Sequence, residues 1–226
     1  MSPPGRSQGE YRSAQHEGTP VSPPGRSQGE YRSAQREGTP VSPPLHAPRK
    51  LKVATVSLAG CFGCHMSFLD IDERLFELIE HIEFDRSPFT DIKEVGVCDI
   101  GLIEGGLCNA DNVRVLREFR ARCKTLVAVG ACAITGGLPA QRNHLDVGVM
   151  LTEIYRTRPG LSPNSRIPDD PELPLLLNQV HPIHEVVHVD YFLPGCPPSA
   201  DAFWIFLNDL MAGRTPHLGH GLMHYD

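Results

Sequence analysis

Residues Leu51–Leu58 form an apolar, partly β-branched run, and from Phe68 to Ile82 apolar residues recur every three or four positions. The first pattern predicts a buried strand and the second a helix over about Met66–Ile82. Asp99–Glu104 (DIGLIE) and Thr125–Gly130 (TLVAVG) predict two more buried strands, and Glu185–Leu193 a last one. Glu83–Asp91 has room for only a short, irregular strand. Further helices are expected over Asn109–Arg122, with Asn109 or Asp111 as cap, over Gln141–Arg156, and over Ser199–Ala212, capped by Ser199. Pro159–Pro174 carries five prolines and reads as a loop. Strands that alternate with helices predict an α/β fold with a doubly wound, mostly parallel sheet.

The pattern fails before residue 49. Residues 2–21 and 22–41 are two copies of one 20-residue repeat, differing only at His16 and Arg36, and a third copy begins at Ser42. Each copy offers only Val, Ala and Tyr to a core, so residues 1–48 are expected to be a disordered tail and residues 49–226 the folded domain. Each copy ends in Val, at Val21 and Val41, and no methionine lies between Met1 and Met66, so Val41 is a candidate translation start. The net charge of −6 divides unevenly: residues 1–50 hold seven Lys/Arg against four Glu, so the body is acidic. An acidic body argues against nucleic acid as a partner. No apolar run reaches the roughly 18 residues of a membrane span, and no apolar h-region opens the chain. Cytoplasmic residence without membrane insertion is the expectation.

Seven cysteines are an odd set for a disulfide framework and suit a reducing compartment. Cys61 and Cys64 follow the first strand, Cys132 follows Thr125–Gly130, and Cys196 follows the last strand. Ligands of an open α/β sheet gather at the carboxyl ends of its strands. Four thiols from three such ends match the ligand count of a 4Fe-4S cluster. Glycines flank them in Gly60-Cys61-Phe62-Gly63-Cys64, Gly130-Ala131-Cys132 and Pro194-Gly195-Cys196. Cys98 and Cys123 lie away from that edge and read as core residues, and Cys108 as a non-ligand. A four-cysteine zinc site and a thioredoxin-like pair are the alternatives. Zinc scaffolds usually use two short Cys pairs, and a redox pair leaves Cys132 and Cys196 unexplained.

The ordered motifs CFGCH with MSF, EGGLCN, GACAITGG and PGCPP resemble the small subunits of nickel–iron hydrogenases, over essentially residues 51–213. That resemblance implies a flavodoxin-like fold and one 4Fe-4S cluster, proximal to a nickel–iron centre, on Cys61, Cys64, Cys132 and Cys196. The related quinone-oxidoreductase subunit of complex I is expected to have adjacent cysteines in the first motif, whereas Phe62-Gly63 separate them here. Thirty cysteine-free residues follow Cys196, so no further cluster ligands are expected there, and no twin-arginine signal is present. The resemblance is therefore to the cytoplasmic NAD-reducing, bidirectional type. It implies a partner large subunit bearing nickel–iron and a diaphorase pair bearing FMN, further clusters and the NAD site. The chain has no GxGxxG after a strand, so NAD is not expected on it, and no acid–base catalytic residue is expected either.

Other residues have two readings. Glu104 ends a strand at the thiol edge and either tunes the cluster and relays protons or caps a glycine-rich turn. His65 is either an outer partner of the cluster or a helix-start residue. His217, His220 and His224 resemble a metal tract but read as solvated. A flavodoxin-like fold invites FMN, yet cysteines occupy the loop that would cradle its phosphate, so FMN is at most a secondary expectation. On helix one, Phe68, Ile71, Leu75, Leu78, Ile79 and Ile82 form a core stripe, and Leu69 and Phe76 beside it are a candidate partner surface.

Overall fold

The computed structural model describes residues 49–223 and residue 225. The expectations for residues 1–48 and for His224 fall outside the described residues.

Five strands pair side by side, all parallel: β1 (Leu51–Ser57), β2 (Ile82–Phe84), β3 (Cys98–Glu104), β5 (Cys123–Val129) and β7 (Tyr191–Leu193), in the order β2-β1-β3-β5-β7. This is the flavodoxin-like order. The reason is visible in the alternation of side chains. Along the central strands, Ala54, Val56, Ile103, Leu126 and Ala128 face one core. Val53, Ile100, Leu102, Val127 and Val129 face the other. A strand with apolar residues on both faces must be covered on both, and parallel crossovers supply the helices. α3 (Ala110–Arg122) covers the first face with Val115, Leu116 and Phe119. α1 (Gly63–Leu69), α2 (Arg74–His81) and α6 (Ala200–Met211) cover the second with Phe68, Leu78, Phe203 and Phe206.

Two caps behave as expected. Asn109 accepts from the Asn112 N–H at the start of α3, and Ser199 accepts from the Ala202 N–H at the start of α6. Pro159–Pro174 contains no helix or strand.

Four elements differ from expectation. The single helix over Met66–Ile82 is two, broken around Asp72, whose φ of 54° is left-handed. Aspartate tolerates that conformation better than most residues, so the apolar period runs on while the backbone does not. The break turns Ile79 outward, to 40% exposure, removing it from the core stripe. Phe76 is 72% exposed, whereas Leu69 is partly buried. Gln141–Arg156 is not one helix but a 3-10 turn over Pro139–His144, α5 (Val147–Thr152) and a π turn over Glu153–Thr157. Asp146 interrupts it by capping α5, accepting from the Val149 N–H. The last strand is only Tyr191–Leu193, because a 3-10 turn at Ile183–Glu185 takes up the start of the expected run. A second sheet has no counterpart in the apolar pattern: β4 (Leu107–Asn109) pairs antiparallel with β6 (Leu176–His181). Strands this short, with partners nearly 70 residues apart, carry little periodicity.

Candidate metal centre

The carboxyl ends of β1, β3, β5 and β7 form one edge, and the loops leaving them are tied to one another. The Leu58 N–H donates to the Glu104 carbonyl at 2.9 Å, and Ala59 and Gly106 exchange backbone bonds of 3.0 and 2.8 Å. Gly105 passes beneath this contact at a φ of 85°, where a Cβ would strike the Leu58 and Ala59 backbone. Phe62, at a φ of 67°, turns the chain into α1, so Cys61 lies on the turn and Cys64 on the first turn of the helix. The Gly63 N–H points at the Cys61 Sγ, 3.3 Å away.

Cys132 is not in a loop, as its sequence context suggests, but in a short helix, α4 (Gly130–Thr135), that follows β5 without a break. Gly130 allows this turn with a φ of 78°. A Cβ on Gly130 would collide with the Cys64 Sγ, and one on Gly137 would come within 2.8 Å of the Cys132 Sγ. Cys196 follows β7. Its loop is held by the Ala131 N–H, which donates to the Gly195 carbonyl at 2.8 Å. The Cys196–Pro197 peptide is cis.

The four thiols act on one another electrostatically. Burial pushes the Cys64 thiol well above the usual range, and the charges of Glu104, Cys132 and Cys61 push it further. Burial likewise raises Cys132, and Cys196, Cys61 and Glu104 add to that rise. Cys61 and Cys196 are exposed, and Cys64 and Cys132 partly buried. Cys64 and Cys132 thus resist ionisation by themselves, and a cationic core bound there would supply the charge that their thiolates need. Among the described residues, no three His, Cys, Asp or Glu side chains close on the position of a single metal ion.

The other three cysteines are elsewhere. Cys98 and Cys123 face each other across β3 and β5 at the amino end of the sheet, both buried, their thiols pushed by burial to about 12 and about 11. Cys108 lies on β4, where its N–H and thiol both donate to the Asn112 side-chain oxygen at 3.2 and 3.3 Å.

Glu104 and His65 form a buried polar pair against Cys64, only 3% and 5% exposed. A Glu104 carboxylate oxygen accepts from the His65 backbone N–H at 3.2 Å. The other lies 3.0 Å from His65 Nδ1, close as an ion pair but poorly aligned for a hydrogen bond. The opposite ring nitrogen, Nε2, is 2.9 Å from the Thr55 hydroxyl, which meets the Ser87 hydroxyl at 2.7 Å. Burial works against the Glu104 charge. Contacts from His65, Ser57 and Cys64 outweigh it and hold the carboxyl below the usual range. The Glu104 carboxylate thus reaches the first motif, and His65 lies buried within that motif at the start of α1. Thr55 and Ser87 could not be found from the sequence, because a buried threonine in a strand carries no motif. His217 and His220 are exposed.

A family model described as the NADH ubiquinone oxidoreductase, 20 kDa subunit, matches residues 61–210. The NAD-reducing hydrogenase HoxS subunit delta of Cupriavidus necator is 44% identical over 78% of this chain and 86% of its own length. A chain in the crystal structure of an NAD+-reducing [NiFe]-hydrogenase in the H2-reduced state is 62% identical, with a TM-score of 0.77 over 79% of this chain and all of that one. The iron-sulfur subunit of an F420-non-reducing hydrogenase from Archaeoglobus profundus is 33% identical over 75% of this chain, which spans 58% of that protein's length. No helix among the described residues is long and apolar enough to cross a membrane. The chain belongs to the family of the NADH ubiquinone oxidoreductase 20 kDa subunit and, within it, to the small subunits of NAD-reducing hydrogenases.

Proposed function

We propose that Cys61, Cys64, Cys132 and Cys196 hold one 4Fe-4S cluster, through which this chain passes electrons between the nickel–iron site of a partner large subunit and a diaphorase module that reduces NAD. The observation that carries this reading is the placement of Cys61 and Cys64 after β1, Cys132 after β5 and Cys196 after β7, all at the carboxyl edge of one parallel sheet, with Gly130 and Gly137 where a Cβ would strike the Cys64 and Cys132 sulfurs. Such a cluster supplies one-electron storage and transfer. The chain's own contribution is to hold and to shield. Phe62 stacks on the His65 ring, with centroids 4.8 Å apart, so that the residue between the two cysteines is packed on the one after them. Glu104 fixes the His65 backbone and thereby the start of α1. The exposed pair, Cys61 and Cys196, leaves the carboxyl edge open to a partner. Four thiolates saturate such a core and leave no position at which hydrogen could bind. The relatives are named as subunits of NAD-reducing and F420-non-reducing hydrogenases, one of them as an iron-sulfur subunit, which supports a cluster-bearing place for this chain in a hydrogenase.

Absorption with iron and sulfide analysis tests the reading. A brown protein with broad visible absorption and about four irons and four sulfides per chain is expected. A colourless protein carrying zinc would overturn it, because zinc is d10.

A further inference from the structure

The three segments that carry the four cysteines are joined to one another and to β3 by a small number of ties, and these differ in kind. The first motif is tied to β3 by the Glu104 carboxylate on the His65 N–H. The β5 turn is tied to the β7 loop by the Ala131 N–H on the Gly195 carbonyl. The remaining link joins the first motif directly to the β7 loop. There the Ser67 hydroxyl, on α1, donates to the Pro198 carbonyl at 2.5 Å, across 131 residues of chain. Ser67 is 7% exposed.

This is not where a helical serine usually turns. Its hydroxyl commonly bonds back to the carbonyl four residues earlier in its own helix. Here it leaves its helix for a carbonyl two residues past Cys196. That loop is otherwise held at its two ends, by the Ala131 bond to the Gly195 carbonyl and by the Ser199 cap of α6. β7 is three residues long and at the edge of the sheet, and Cys196 is exposed. Pro197 and Pro198 have no N–H with which to form a competing ladder.

We infer that Ser67 is a positioning residue that holds the Cys196 thiol in register with Cys61 and Cys64, so that the fourth corner of the cluster stays bound. The inference rests on the four-thiol reading above. Without the hydroxyl, the buried Pro198 carbonyl loses its donor and the Cys196 loop loses its direct link to α1. The iron held by Cys196 then becomes the first to leave.

The test uses the full chain purified without oxygen, together with the subunits it assembles with. Wild type is first shown to carry the cluster by iron, sulfide and absorption. Ser67→Ala should load fully but release iron to a chelator about tenfold faster, the effect of losing one hydrogen bond. After mild oxidation it should show the electron paramagnetic resonance signal of a three-iron cluster, which wild type does not. Ser67→Thr, which keeps the hydroxyl, should restore both properties, and Ser67→Cys, a weaker donor, should fall between. Equal release and identical spectra in wild type and Ser67→Ala would overturn the inference while leaving the four-thiol reading intact. Equal lability of Ser67→Ala and Ser67→Thr would also overturn it, by showing that packing and not the hydroxyl matters. A wild-type chain with no cluster would overturn the four-thiol reading and this inference together.

Discussion

Two groups of cysteines lie at opposite ends of the same sheet, and burial raises thiols in both. At the amino end, Cys98 and Cys123 face each other on β3 and β5, 1% and 4% exposed. At the carboxyl end, Cys61 and Cys64 lie where β1 passes into α1, Cys132 on α4 after β5, and Cys196 in the loop after β7. The difference lies in what surrounds the sulfurs. At the amino end the sulfurs belong to the hydrophobic core, Cys98 and Cys123 packing in one buried cluster with Leu116, Phe119 and Leu126, and a Cβ on Gly101 would crowd the Cys123 Sγ at 2.7 Å. At the carboxyl end left-handed Gly130, Gly137 and Gly195 stand beside the thiols, and two of the four, Cys61 and Cys196, are exposed. Thiol count and raised pKa do not distinguish a ligand from a core residue; the backbone that carries it does.

The largest expected effect sharpens that contrast. Cys132→Ser or Cys196→Ser should destroy or convert the cluster, measured as lost iron and visible absorption. Cys123→Ser should leave the cluster in place and cost only stability, since it puts a hydroxyl where a buried thiol was. Retained iron in both Cys132→Ser and Cys196→Ser would break the four-ligand assignment.

Next in size are the glycines. Gly130→Ala places a methyl against the Cys64 Sγ at a φ of 78°. Strain of about 1–2 kcal/mol and a displaced ligand should cut cluster loading sharply. Gly101→Ala, which crowds Cys123 instead, should lower stability by roughly 1–3 kcal/mol with iron content unchanged. Parallel measurement of thermal unfolding and iron content separates the two. Iron lost equally from both variants would mean that the two ends are not functionally distinct.

How much of this is legible in the sequence follows from the same distinction. The place of the four proposed ligand cysteines at one sheet edge is legible because each stands close to a strand with a strong apolar pattern and a glycine. Cys98 and Cys123 are legible as core residues because they flank β3 and α3 rather than leave a strand end. The break at Asp72 is not legible, because the 3.6-residue apolar period continues through it and only the backbone angle reports it. β4 and β6 escape because three- and six-residue strands pair across a long insertion that has no alternation. The ties escape for a more general reason. Ser67 to Pro198 and His65 to Thr55 are contacts between side chains or carbonyls that no local pattern brings together.

A smaller effect tests the amino end by its charges. Asp99, the second residue of β3, accepts from Lys124 at 2.8 Å, from the Lys52 backbone N–H at 2.9 Å, and from Arg49 at 2.8 and 2.9 Å. Burial acts against its charge, but these donors hold its carboxyl down to about 2. A carboxyl held below its unfolded value near 3.9 contributes stability that is complete at neutral pH and is lost as pH falls towards 2. With the Lys and Arg partners largely exposed, that contribution is about 1 kcal/mol. Asp99→Asn should therefore lower the unfolding free energy by about that amount at pH 7 and by less at pH 3, with the cluster's spectrum unchanged. A spectrum that shifts with Asp99→Asn would show the amino end to be coupled to the cluster.

The smallest effect expected is that of removing residues 1–48. Each 20-residue copy holds too little apolar surface to offset the roughly 1–2 kcal/mol per residue that ordering costs, so neither the core nor the ligand edge should depend on it. The cut is placed with care, because Arg49 is the first described residue and its guanidinium reaches both Asp99 oxygens. A chain that starts at Arg49 should match the full chain in iron content, spectrum and unfolding temperature. A chain that starts at Leu51 loses both that pair and the Lys50 bond to the Ile79 carbonyl, and should lose a few tenths of a kcal/mol up to about 1 kcal/mol. Intact-mass measurement of the native protein completes the test. A mass that begins at Val41 would show the repeat to be dispensable in the cell, whereas a mass that holds both copies, with reduced assembly after the cut at 48, would give the repeat a role that the folded domain does not require.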